Sequence, residues 1–320
     1  MSDRFFYHSF PRRAAAATEG EKGLAILGSI AESGLLLTPE KTEWSEFQQD
    51  GQKSPPIKVF QKRACFTELA SPELPEHSKV FGRFAIEFSI EHLRLLGAIP
   101  VFYLPTPGAE ERGLAGIAAA MLARMADVQQ LLTRLAQTAE LCQRTPDKAE
   151  LINVTLNGRI AGGTRCTIGA AEDLVAALSH QIRPPGELLN AMRAVAGFFY
   201  PTENLEYTGE LASYRQREWR IIANMVRRGE EIARDLTEEE KVRLLEIDSD
   251  FFGHRMCFPT GEHRRVDQCK YMTELDQKPI LTWAKRVIVP DELVDAATEV
   301  VRTHAHLVPV AGISSIMSAA

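Results

Sequence analysis

The sequence predicts an α+β protein, a mixed sheet with flanking helices and a long helical insertion. Three observations lead there. The chain opens on an aromatic, strand-like run followed by an amphipathic one, residues 57–105 hold several strand-like runs in close succession, and a strand, helix, strand order closes it. Between these parts, at about 110–197, a helix-rich stretch reads as an insertion into a single domain spanning 1–320.

Arg4 to Phe10 is short, rich in aromatics and stopped by Pro11, the pattern of a first strand. From Glu19 to Ser33, Leu24, Leu27 and Ile30 recur at helical spacing, and Gly34 stands where a helix C-terminal glycine belongs. "GLLLTPE" then leaves extended, and the polar stretch Trp44 to Pro56 reads as a loop. Ile57–Leu69 and Gly82–Phe88 read as strands joined by a loop around Pro72 and Pro75, "IEHLRLLG" as a short helix, and "IPVFYLP" as a further strand.

Gly113 to Cys142 carries Leu114, Ile117, Met121, Met125, Val128, Leu132 and Leu135 on one helical face, which demands a partner: the core, or a second copy in a homodimer. "NGRIAGGT" at 157–164 lacks the spacing of a phosphate-binding loop and reads as a turn. Ala170–Ser179 and Gly186–Ala196 read as helices, and Phe198–Thr208 as loop or short strand. Residues 210–225 fit strand and helix alike. "AKRVIVP" is a strand, Asp291–Thr303 a helix and "HLVPV" a last strand.

With 45% hydrophobic and 25% charged residues, the chain has the composition of an ordinary globular protein. A formal charge of -6 disfavours non-specific binding along a phosphate backbone and leaves nucleic acid only a local site. Five scattered cysteines with no CxxC pair predict reduced thiols and a cytoplasmic location. No apolar run is long enough for a membrane span, and the first residues lack a signal-peptide design. His304 and His306 have no third ligand nearby in sequence, so no metal is expected.

Three segments combine strand character with ionisable groups: "FYHSF" with His8, "CFTEL" running on to His77, and "YRQREWRII" with Glu218. On a strand, Gln216, Glu218 and Arg220 face one way and Trp219 the other. On a helix, Tyr214 and Glu218 become neighbours instead. Arg220 is open to two readings, binding a phosphate or pairing with Glu68. Glu68 and His77 either act together across one loop or merely anchor it.

The opening, "FYHSF" followed by a helix and "SGLLLTPE", resembles ADP-ribosyltransferase-like proteins, including the tRNA 2′-phosphotransferases. "CFTEL" with His77, Gly82 and "FAIEF", together with the late "YRQREWRI", more closely resembles the abortive-infection AbiGi family of bacterial phage-resistance proteins. The likeness runs from Arg4 to about Ile222. It implies a split sheet of the ADP-ribosyltransferase-like type, with NAD as substrate in a cleft between the two halves.

Carried onto this chain, the resemblance implies Glu218 as the carboxylate that stabilises positive charge on the ribose, and His8 as the group that binds the ribose. Ser9, Tyr7, Thr67, Glu68, His77, Gln216 and Arg220 would contact substrate, and Tyr7, Tyr103 or Tyr214 would offer an aromatic face. "CFTEL" has no tyrosine where the transferase signature carries an aromatic on its second strand. The implied function is phage defence through NAD binding and transfer or hydrolysis of ADP-ribose. The alternatives are a non-catalytic antitoxin or sensor that keeps the fold and binds a toxin, a phage protein or nucleic acid, and a structural homodimer joined through the 113–142 helix.

Overall fold

The computed structural model describes residues 4–12, 17–44, 57–104, 114–154, 164–182, 192, 195, 198–201, 217–223, 226–227, 230–258, 260–304 and 307–318. Two compact units emerge, one of Met1–Lys41, Phe60–Tyr103 and Leu205–Ala320, the other of Thr42–Val59 and Leu104–Asn204. In chain order the elements are β1 (Arg4–Phe10), α1 (Glu19–Ser33), β2 (Leu35–Trp44), β3 (Ile57–Ala70), α2 (Leu74–Phe81), β4 (Phe84–Phe88), α3 (Ile90–Leu95), β5 (Ile99–Pro100) and β6 (Phe102–Leu104). There follow α4 (Leu114–Arg144), β7 (Leu151–Val154), β8 (Thr164–Thr167), α5 (Ile168–Ile182), β9 (Phe199–Pro201) and β10 (Glu218–Ile222). Later elements are named by their residues.

Among the described residues the main sheet has ten strands. Its path runs Arg234–Asp235, Lys270–Met272, β2, β3, β1, β4, Arg286–Val289, Val310–Gly312, while β10 pairs with β3 and carries β5 beyond it. The Arg286–Val289 and Val310–Gly312 strands are parallel, whereas β1, β4 and β10 join their neighbours antiparallel. The protein is therefore a mixed α+β structure with a large mixed sheet and flanking helices.

Strand alternation sorts the centre of this sheet into two faces. On one lie Phe6, Phe10, Phe66, Phe84, Ile86, Phe88, Ile221 and Val287, all buried and covered by α1 residues Leu27 and Ile30 and by Ala297 and Val301 of the helix Val294–Thr303. Phe, Ile and Leu side chains buried to this extent contribute roughly 1.5–3 kcal/mol each, so this aromatic layer dominates the stability of the unit. Tyr7, Leu69, Ala85 and Ile288 form the other face, against Leu74 of α2 and Ile316 of the short helix Ile313–Ser318. All five residues of β4 are buried, which marks it as a central strand covered on both sides.

Boundaries follow local chemistry. Gly34 closes α1 at φ 95°, its N–H donating to the Ile30 carbonyl at 2.9 Å. Residues 74–81 are helical where a loop was expected: Pro75 sits in the first turn, where its missing N–H costs nothing, and Gly82 ends the helix at φ 100°. A Cβ on Gly82 would lie 2.4 Å from the Phe10 carbonyl carbon, so the helix end packs directly on the backbone of β1. The last strand starts at Val310, the final residue of "HLVPV", rather than at its beginning. Pro309 has no N–H to give, although its carbonyl accepts from Val287 N at 2.8 Å. Asp291–Leu293 is a 3-10 turn leading into the helix Val294–Thr303.

In the second unit, α4 buries Leu132, Leu135 and Cys142 while Val128 is exposed, so the expected stripe is only partly covered over its described side chains. Cys142 packs with Ile168 and Ala171 of α5 and with Ile152 and Cys166 of the β7–β8 hairpin. All five cysteines are free thiols. Among the described residues, no helix is long and apolar enough to cross a membrane. The expected loop at 45–56, the 157–163 turn, and the Gly186–Ala196 helix apart from residues 192 and 195 lie outside the described residues.

Candidate active site

Residues 218–222 form a strand, which resolves the ambiguity left by their pattern. β10 lies antiparallel to β3, with Glu218 opposite Thr67, Trp219 opposite Phe66 and Arg220 opposite Cys65. Its other edge holds β5, with Ile99 opposite Arg220. Arg217 enters the strand at φ 44°, a left-handed conformation uncommon for a bulky residue, and is held by two 2.8 Å bonds from Nη2 to Glu73. Trp219 turns to the aromatic layer, its ring 5.2 Å from Phe6 and edge-on to it. Glu218 and Arg220 turn to the opposite face.

There the two side chains form a buried ion pair. Arg220 donates from Nε to Glu218 Oε1 at 2.7 Å and from Nη2 to Oε2 at 3.1 Å, with 1% and 11% of the respective side chains exposed. The Tyr103 hydroxyl donates to Oε2 at 2.5 Å. Alternation places it there: Ile99 is opposite Arg220, the Val101 N–H donates to the Glu218 carbonyl at 2.8 Å, and Tyr103 is the next residue on that side. Burial alone would raise the Glu218 pKa. The charges of Arg220 and Arg63 and the hydrogen bonds from Arg220 and Cys65 outweigh it and hold the carboxyl at about 2, against an ordinary 4.5.

The same carboxylate shapes its neighbours. Burial, reinforced by the Glu218 charge, pushes the Cys65 thiol up to about 12 and raises the Tyr103 phenol, so both remain protonated donors at neutral pH. Arg63, largely buried, lies two residues from Cys65 on β3 and pairs with Glu40. Sequence reasoning singled out neither Arg63 nor Cys65. Their signal was the period of two in Arg63, Cys65 and Thr67, which puts all three on the Glu218 face.

Thr67 faces Glu218 across one edge of β3 and Tyr7 across the other, and Tyr7 in turn faces Glu87 on β4. Glu87 faces Arg286, whose Nε donates to it at 2.9 Å. Glu218, Thr67, Tyr7, Glu87 and Arg286 thus form one row across five strands on a single face. Tyr7 is 1% exposed, its hydroxyl 3.5 Å from Ser71 Oγ, and burial raises its pKa. Ser9, two positions along, has its Oγ buried with no hydrogen-bond partner among the described residues.

His8 is placed differently. It faces Ile86 within the aromatic layer, with its ring 5.5 Å from that of Phe66 and its Nδ1–H donating to the Cys65 carbonyl at 2.9 Å. Burial lowers its pKa, so the neutral ring is favoured. His8 and Glu218 therefore project from opposite faces of the sheet. Glu68 also points away from the Glu218 face and pairs with Arg4 at 3.5 Å, so the Arg220–Glu68 alternative gives way to the Arg220–Glu218 pair.

His77 lies on α2 rather than on a loop, stacked on Phe81 at 4.3 Å, and burial lowers its pKa to about 4. Gln216 and Tyr214 lie outside the described residues, as does His306. Among the described residues, no three His, Cys, Asp or Glu side chains are grouped so as to hold a metal ion.

Comparison of the chain with protein-family models, with curated proteins and with solved structures finds no match.

Proposed function

We propose that this chain is a bacterial phage-defence protein whose sheet, of the ADP-ribosyltransferase-like type, binds NAD or a related nucleotide at Glu218 and transfers or hydrolyses its ADP-ribose. One observation carries the reading. The three strands bearing "FYHSF", "CFTEL" and "EWR" lie side by side, and Tyr7, Thr67 and Glu218 stand in one row across them. A carboxylate held ionised suits such a reaction. When the bond between ribose C1′ and the nicotinamide nitrogen breaks, the pair of electrons leaves with nicotinamide and positive charge develops on the ribose. Water or an acceptor hydroxyl then adds to C1′ and gives up its proton. Glu218 would stabilise that charge, and Thr67 and Tyr7 would line the same face.

The test is nicotinamide release from NAD by the purified chain. Turnover that Glu218→Gln abolishes, with folding intact, is the expected result. Absence of both NAD binding in calorimetry and turnover would overturn the proposal.

A second reading, a non-catalytic antitoxin or sensor that binds a toxin, phage protein or nucleic acid, is favoured by a different observation. Every oxygen of Glu218 is already engaged, and His8 lies on the other face. NAD binding without turnover, together with capture of a defined partner, would favour it.

A further inference from the structure

Glu218 accepts from Arg220 Nε at Oε1, and from Arg220 Nη2 and the Tyr103 hydroxyl at Oε2. With the Cys65 thiol also donating to the carboxylate, its acceptor sites are filled, so a ligand hydroxyl that donates to it must take the place of one of these donors. Arg220 is a poor candidate: it is 1% exposed, and its withdrawal would leave two buried charges unpaired. Cys65 is fixed within β3, paired with β10.

Tyr103 differs on each count. It is neutral, so its departure separates no charges. The backbone bonds at Ile99 and Val101 hold the chain just before its strand, β6, to β10 independently of the phenol. Its neighbour Phe102 is 54% exposed, so this segment runs at the surface, whereas the Tyr103 side chain is buried and must rotate about its own side-chain bonds to leave the carboxylate.

Resting on the nucleotide reading above, we infer that the Tyr103 hydroxyl holds the place of a substrate hydroxyl on Glu218 Oε2, and that the site selects ligands carrying a ribose-type hydroxyl able to displace it. Tyr103 is then a positioning residue that competes with substrate. It keeps the carboxylate satisfied when the site is empty, and it discriminates against ligands lacking a donor, which cannot replace its bond.

The test compares wild type with Tyr103→Phe by calorimetry, using NAD and an NAD analogue that lacks the 2′-hydroxyl on the nicotinamide ribose. Without the competing phenol, NAD should bind about tenfold to a hundredfold tighter, the factor that one hydrogen bond to a charged group corresponds to. The deoxy analogue should bind both proteins equally, because it displaces nothing. NAD bound equally or more weakly by Tyr103→Phe, or both ligands changing together, overturns the inference. If neither protein binds NAD, the nucleotide reading fails and the inference fails with it. Should Tyr103→Phe not fold, tyrosine difference absorbance of wild type provides the readout: saturating NAD should shift the phenol band, and an unchanged band overturns the inference.

Discussion

The guanidinium of Arg220 closes on the carboxylate of Glu218, two residues earlier on the same strand, through bonds of 2.7 and 3.1 Å. Alternation puts the two on one face, and burial makes each depend on the other.

Arg220→Ala should therefore destabilise the protein by about 3–5 kcal/mol, because it leaves a carboxylate buried without its cation. Urea unfolding measures this. The double replacement Glu218→Leu with Arg220→Met should cost less than Arg220→Ala alone, and a double variant that is less stable than the single one would contradict the ion-pair account.

Acid should weaken the fold through two carboxyls. Glu218 and Glu240 are both held at about 2 against an ordinary 4.5, Glu240 chiefly by hydrogen bonds from Arg234. The native state thus binds fewer protons than the unfolded chain between these values. Their stabilisation is complete above pH 4.5, declines as pH falls, and is gone below about 2. For Glu218 it amounts to about 3 kcal/mol. Unfolding free energy followed from pH 5 to 2 should fall less steeply in Glu218→Gln and in Glu240→Gln than in wild type.

His77 acts in a separate window. Its pKa is lowered from 6.5 to about 4 by burial against Phe81, so the native state resists a proton that the unfolded chain accepts. Stability should decline as pH falls from 6.5 to 4. In His77→Phe, which keeps the ring stacking, melting temperature should change less across that range.

Gly82→Ala should cost at least about 2 kcal/mol, from strain at a positive φ and from the clash with the Phe10 backbone. Thermal unfolding reports it. Gly261 also has a positive φ but no atom within 4 Å of a built Cβ, so Gly261→Ala should be milder, and equal losses at the two positions would count against the packing argument.

Much of the fold was legible because its signals are local. β1, α1, β3 and β4 announce themselves by period and by Pro11, Gly34 and Gly82. Pro75 misled because proline serves a loop and a first helical turn equally. "EWRII" fitted two periods, and only its non-local partners β3 and β5 make it a strand.

The pairing of Glu218 with Arg220 on one face followed once that strand was granted. The face of His8 did not, because it depends on the register of β1 against β4, which no local pattern specifies. Tyr103 was one of three candidate aromatics, and strand alternation is what brings it to Glu218.

The polar row across β10, β3, β1, β4 and Arg286 has a consequence for how the sheet can assemble. Slipping β4 by one residue would turn Glu87 into the phenylalanine layer and leave Arg286 on the far side, and slipping β10 would carry Glu218 and Arg220 together into that layer, away from Tyr103. The two ion pairs, one near each end of the row, thereby penalise misaligned pairings whether or not the site ever meets a nucleotide.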